Sequence, residues 1–202
     1  MIEAILRAPI IPKTHKSNRF GALRFAAVNA TLPGPWLEFG VYRGRSARWL
    51  LRHLPENGAL HLFDSFEGLP ESWEERLPAG AFALPSRDWP RFHDPRVYMH
   101  VGRFHESLQL WRDVHGIAPA LVHIDCDLYE STRQALQGLN GLIRPGCILA
   151  FDELYNYKGF ENHEYRALTE FSQAAGAQLQ VLGRTQARQV VMRVAMTWEV
   201  SE

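Results

Sequence analysis

Four carboxylates stand at the ends of two apolar runs: Asp125 and Asp127 follow Leu121 to Ile124, and Asp152 and Glu153 follow Cys147 to Phe151. If those runs are strands of one open α/β sheet, their carboxyl ends share a crevice, which is where such sheets bind ligands. That much negative charge is costly to gather unless something positive joins it. A hard divalent cation with oxygen ligands, magnesium above all, would relieve the cost, and the expected ligands are Asp125, Asp152 and Glu153. Such an ion lowers the pKa of a coordinated hydroxyl and orients it for in-line attack. Asp127 is left as the general base, with His163 as the alternative base. The competing reading has some of these acids merely capping helices.

A second constellation lies upstream, in Leu37-Glu38-Phe39-Gly40-Val41-Tyr42-Arg43-Gly44-Arg45-Ser46. An apolar run passing through glycines into a helical stretch makes a turn over which a ligand can approach the backbone. Gly40 and Gly44 lack the G-x-G-x-x-G spacing that seats a dinucleotide pyrophosphate. S-adenosylmethionine has no pyrophosphate, and the looser turn suffices for it. Glu38 is expected to reach its amino-acid part, directly or through water, with Gly40, Tyr42, Gly44 and Ser46 around it. Asp64, at the end of the next apolar run, can accept two ribose hydroxyl protons, with Ser65 beside it; capping of the following turn is the alternative. Gly102 and Phe104 are placed beside the adenine, and Asp125 near the sulfonium end.

These residues need a frame of alternating strands and helices. Short apolar runs at 36–39, 60–63, 97–101, 121–124, 147–151, 179–182 and 190–194 predict seven strands separated by amphipathic stretches. Helices are predicted over 46–54, 130–142 and 161–175, each stopping at Pro or Gly. The last two runs are too close for a helical crossover, so they should pair antiparallel. The fold class is therefore α/β: a Rossmann-like, mostly parallel sheet with an antiparallel last strand and helices on both faces. One domain over residues 1–202 is expected. Within it, 13–31 should form an N-terminal helix or cap, running from Ser17 to Ala30 with Phe20, Leu23, Ala27 and Val28 inward, and 67–95 a lid-like insertion holding Trp73 and Trp89.

Lys plus Arg and Asp plus Glu number 22 each, so no general positive field exists to hold nucleic acid or an anionic membrane. The arginines at 43, 45, 48 and 52 read as a solvated face. His123, inside a strand, reads as a core histidine, and Trp36, Trp49 and Trp111 as packing residues. Two cysteines make no disulfide framework, and no apolar run approaches a membrane span, which points to the cytoplasm. A homodimer is expected, because small enzymes of this fold often complete their substrate pocket by association. An NAD-type oxidoreductase and a non-catalytic cofactor-binding protein are the alternative functions.

Four stretches resemble the macrocin O-methyltransferase (TylF-type) family: L-E-F-G-V-Y-R-G-R-S at 37–46, F-D-S-F-E-G-L-P at 63–70, G-R-F-H-E-S-L at 102–108 and H-I-D-C-D-L-Y-E-S-T at 123–132. The likeness runs from about Leu37 to Phe171. It implies a class I methyltransferase fold, S-adenosylmethionine as donor, magnesium dependence and O-methylation of a sugar hydroxyl, in a natural product or a surface glycan. By position, Asp125 and Asp152 fall on the metal positions and Asp127 on the base position. Where that family follows strand five with two aspartates and a tyrosine, this chain reads F-D-E-L, so Glu153 replaces the second aspartate.

Overall fold

The computed structural model describes residues 1–73 and 77–196. Among these residues seven strands form one sheet: β1 (Trp36–Phe39), β2 (Leu60–Asp64), β3 (Val97–Val101), β4 (Leu121–Ile124), β5 (Ile148–Phe151), β6 (Gln178–Arg184) and β7 (Val190–Met196). Their order is β3-β2-β1-β4-β5-β7-β6. The first five run parallel, while β7 lies antiparallel to both β5 and β6. The short link between β6 and β7 imposes that reversal, as the spacing predicted.

Among the described residues six helices accompany the sheet: α1 (Ile2–Arg7), α2 (Asn18–Asn29), α3 (Arg45–Leu51), α4 (Phe104–Val114), α5 (Tyr129–Gly138) and α6 (Glu164–Ala174). Alternation along the strands divides the core in two. Leu37, Phe39, Val122, Ile124, Leu149 and Phe151 face Leu108, Trp111, Leu136 and Leu168 of α4, α5 and α6. Trp36, Leu60, Leu62, Leu121 and Ile148 face Leu23 and Ala26 of α2 and Ala47 and Leu50 of α3. Central parallel strands covered on both faces must be apolar throughout, which is why they read as unbroken runs.

Ser17 caps α2, its hydroxyl accepting from the Phe20 N–H, and Leu23 is buried as expected. Val28 is not inward: it is 68% exposed, because α2 turns that residue away from the sheet. The arginines at 43, 45, 48 and 52 are all exposed. The stretch at 161–175 splits into a 3-10 turn, Phe160–Asn162, and α6, while α1 was not anticipated at all. Among the described residues no helix is long and apolar enough to cross a membrane. Trp89 of the long connection stacks on Phe66 at 4.7 Å and donates from Nε1 to the Leu84 carbonyl, and Trp73 is buried with Leu69 and Leu128.

At the β2–β3 side the imidazoles of His61 and His100 meet, Nδ1 to Nε2, at 2.9 Å, and the His115 ring lies 5.0 Å from that of His61. Burial and then the neighbouring imidazoles push His61 down to about 3 and His100 down to about 4. A histidine held neutral by the fold contributes stability that is complete above its unfolded pKa and is lost as pH falls toward the folded one. Stability from this cluster should therefore decline from about pH 6.5 to about 3. Buried carboxylates with raised proton affinity act in the opposite sense over part of that range, so the check compares wild type with His61→Gln by denaturant unfolding at several pH values. The variant should show the shallower acid loss; equal slopes would remove the cluster as the cause.

Candidate active site

The strand order reverses between β1 and β4, so the chain leaves those two neighbours in opposite directions and opens a crevice at their carboxyl ends. A cavity of about 280 Å³ occupies that position. Phe39 hands over to Gly40 with φ 89°, a conformation that favours glycine. A Cβ there would stand 1.9 Å from the Asp125 carbonyl oxygen, so this glycine lets the ends of β1 and β4 close together.

Asp64, at the end of β2, ties the turn down. Its Oδ2 accepts from the backbone N–H groups of Val41 and Tyr42, each at 2.8 Å, and its Oδ1 accepts from Phe66 N–H, also at 2.8 Å. The turn-capping role considered for this residue is present, yet Asp64 also lines the cavity, where Oδ1 keeps acceptor capacity. Gly40, Tyr42, Ser65, Gly102 and Phe104 line the cavity with it.

Three expected cofactor residues lie elsewhere. Glu38 is wholly buried inside β1 and is not in the cavity wall; its Oε1 is 2.9 Å from His123 Nδ1, and its Oε2 has no hydrogen-bond partner. Burial opposes charge on His123, but the Glu38 hydrogen bond and charge overcome it and raise the imidazole's pKa. His123 is thus a satisfied core histidine, as its place in a strand implied. Gly44 caps α3 in a left-handed conformation beside Phe92 and Pro90, and Ser46 is buried on α3.

Asp125, Asp127 and Glu153 reach the cavity, while Asp152 is buried behind it. Asp127 has φ 62°, a strained setting for a non-glycine residue of the kind found at functional sites. Burial first, then the charge of Asp125, raises its proton affinity well above the carboxylate range. Burial and Asp152 push Asp125 up to about 7 against the pull of Arg19, and burial and Asp152 push Glu153 up to about 8 against that of Arg188.

The arrangement does not show the expected magnesium site. Among the described residues no three His, Cys, Asp or Glu side chains are grouped to hold a metal ion. Arg19 of α2 lies between two of the expected ligands, with Nη1 at 3.2 Å from Asp125 Oδ2 and Nη2 in a short contact with Asp152 Oδ2. Glu153 Oε2 accepts from Arg188 Nη1 at 3.1 Å. A guanidinium stands beside each expected ligand, Arg19 serving both Asp125 and Asp152, and it occupies the space between those two where a cation would sit, while Asp152 Oδ1 keeps no hydrogen-bond partner. Arg19 was missed because a single arginine on an amphipathic helix gives no spacing signal; its partners lie more than a hundred residues away in the chain.

This strand order, with one reversed strand and a glycine turn facing an acid at the switch point, is the Rossmann-like class I methyltransferase fold. The family described as "Methyltransferase domain" matches residues 37–154, and the chain belongs to it. A Streptomyces olivaceus protein, 8-demethyl-8-(2,3-dimethoxy-alpha-L-rhamnosyl)-tetracenomycin-C 4'-O-methyltransferase, is 32% identical over 146 residues, 60% of this chain and 53% of its own. The chain thus spans about half the length of that relative. Among solved structures, the calicheamicin methyltransferase CalS11 is similar with TM-score 0.73 and 24% identity, covering 95% of this chain and 89% of the other. The O-methyltransferase NovP is similar with TM-score 0.68 and 21% identity, covering 88% and 80%.

Proposed function

We propose that this chain transfers the methyl group of S-adenosylmethionine to a sugar hydroxyl of a natural product or glycan. The observation that carries the reading is the single cavity into which the Gly40 turn, Asp64 and Asp127 all open. Asp64 receives the ribose hydroxyls, and Gly102 and Phe104 flank the base. The tetracenomycin relative, whose name specifies O-methylation of a rhamnosyl group, supports a sugar acceptor.

In the transfer, the acceptor hydroxyl gives its proton to the Asp127 carboxylate while its oxygen bonds to the methyl carbon. The carbon–sulfur bond breaks, and its electron pair returns to sulfur as a neutral thioether. Burial keeps water from the methyl group, and the positive charges of Arg19 and of the bound sulfonium favour the ionised form of Asp127 that the step requires. Trp73 and Phe82 stand in the cavity wall and contribute to the acceptor side. Both cysteines are free and buried, as a reducing cytoplasm allows.

Calorimetry with S-adenosylhomocysteine tests the donor site. Wild type should bind it, and Asp64→Ala, which removes the ribose acceptor and frees three backbone N–H groups, should weaken binding about tenfold to a hundredfold. Unchanged affinity in the variant would take the nucleoside away from Asp64, and tight NAD binding without S-adenosylhomocysteine binding would reverse the assignment. Screening labelled methyl transfer onto nucleotide sugars, glycans and phenols then tests the acceptor class; transfer to phenols alone would sink the sugar reading.

A further inference from the structure

Arg19 does not belong to the strand-end motifs, yet it reaches the centre of the acid cluster from the opposite end of the chain. Its helix is held firmly: Ser17 caps it, Leu23 and Ala26 are buried against the sheet, and Gly21 packs where any Cβ would strike the Pro12 carbonyl. From that base the guanidinium bridges the two strand ends, donating from Nη2 to both Asp125 and Asp152, with Nη1 3.2 Å from Asp125 Oδ2. The Asp152 side chain is 1% exposed and that of Arg19 39%, so one edge of the bridge is sealed and the other meets the cavity. Among the described residues, the Nε–H and Nη1–H groups of Arg19 make no hydrogen bond to protein, although Nη1 is paired in charge with Asp125. Arg188 meets Glu153 in the same way. Two guanidiniums together bring the charge of one divalent ion, and a guanidinium keeps that charge at every working pH.

We propose that Arg19 occupies the place of a cation in this chain: it joins Asp125 to Asp152, presents its remaining N–H groups to the acceptor oxygen, and makes methyl transfer independent of a divalent metal. The proposal rests on the methyl-transfer reading above. A guanidinium cannot deprotonate a hydroxyl by coordinating it, so the proton still passes from the acceptor to Asp127, and Arg19 keeps all of its own protons while it orients the oxygen. Arg19 is therefore a positioning residue whose fork matches two carboxylates and leaves donors over for a third oxygen.

The test uses Mn2+ as the probe, followed by electron paramagnetic resonance of the free ion, on the 202-residue chain stripped with EDTA. Wild type should take up no stoichiometric Mn2+, and its methyl-transfer rate should be the same with EDTA or with added Mg2+. Stoichiometric uptake by wild type, or a rate lost to EDTA and restored by Mg2+, overturns the proposal. Arg19→Ala should expose the acid pair and gain Mn2+ binding, which the double variant Arg19→Ala/Asp152→Asn should lose again. A folded Arg19→Ala protein that takes up no Mn2+ also overturns it. Turnover of Arg19→Ala without metal should fall about 100-fold, the usual cost of a lost donor to a reacting oxygen, with S-adenosylhomocysteine affinity unchanged. The wild-type arm needs no variant to fold, and the Mn2+ readout needs no acceptor, so failure to methylate any hydroxyl would count against the function and leave the metal question answered.

Discussion

Asp127→Asn should bind S-adenosylhomocysteine as wild type does and lose turnover by about 100-fold or more, the range expected when a general base is removed. The substitution preserves shape, and asparagine accepts the left-handed φ of 62° at this position at least as well as aspartate. What it removes is the carboxylate that lines the cavity and whose proton affinity burial and the neighbouring acids raise. His163, the alternative base, is not in the cavity wall; it sits with Tyr157 and Trp73, its ring 6.5 Å from that of Trp73. Single-turnover kinetics with labelled donor measure the effect free of product release. Near-normal turnover would take the base role from Asp127, and the same assay on His163→Gln would then show whether the histidine holds it.

Gly40→Ala should be more disruptive, because it acts on the frame of the site. The added methyl must sit at positive φ and 1.9 Å from the Asp125 carbonyl oxygen, a backbone atom that cannot swing aside. Strain of that conformation and overpacking each cost about 1 to 3 kcal/mol, so a loss on the order of 3 kcal/mol in unfolding free energy is expected. Relief of the clash has to push β1 and β4 apart where the Asp125 N–H donates to the Phe39 carbonyl. Both halves of the site then move: the turn that Asp64 secures and the segment bearing Asp125 and Asp127. Denaturant unfolding and S-adenosylhomocysteine calorimetry on the same sample check this. Wild-type stability together with wild-type affinity would show that the close approach of the two strands is not required.

Much of the frame was legible from local pattern. Strands buried on two faces must be apolar along their whole length, so β1, β2, β4 and β5 stood out as runs, and the brief link before β7 implied its reversal. Gly40 and Asp64 were legible because a sharp turn at a strand end calls for glycine, and tying that turn down calls for an acid. Side-chain direction was less so: Glu38 shares the motif with Gly40, yet the strand points it inward to His123, which lies 85 positions away.

The chain's residue order alone determined that a glycine turn and several acids would crowd one edge of a parallel sheet, since periodicity and strand-end chemistry are properties of neighbours in sequence. Only the tertiary structure decided how those acids are neutralised. Arg19 meets Asp125 and Asp152 across separations of 106 and 133 residues, and Arg188 meets Glu153 from the loop between β6 and β7. No local pattern encodes such pairings, because they depend on which helix the packed core sets above which strand.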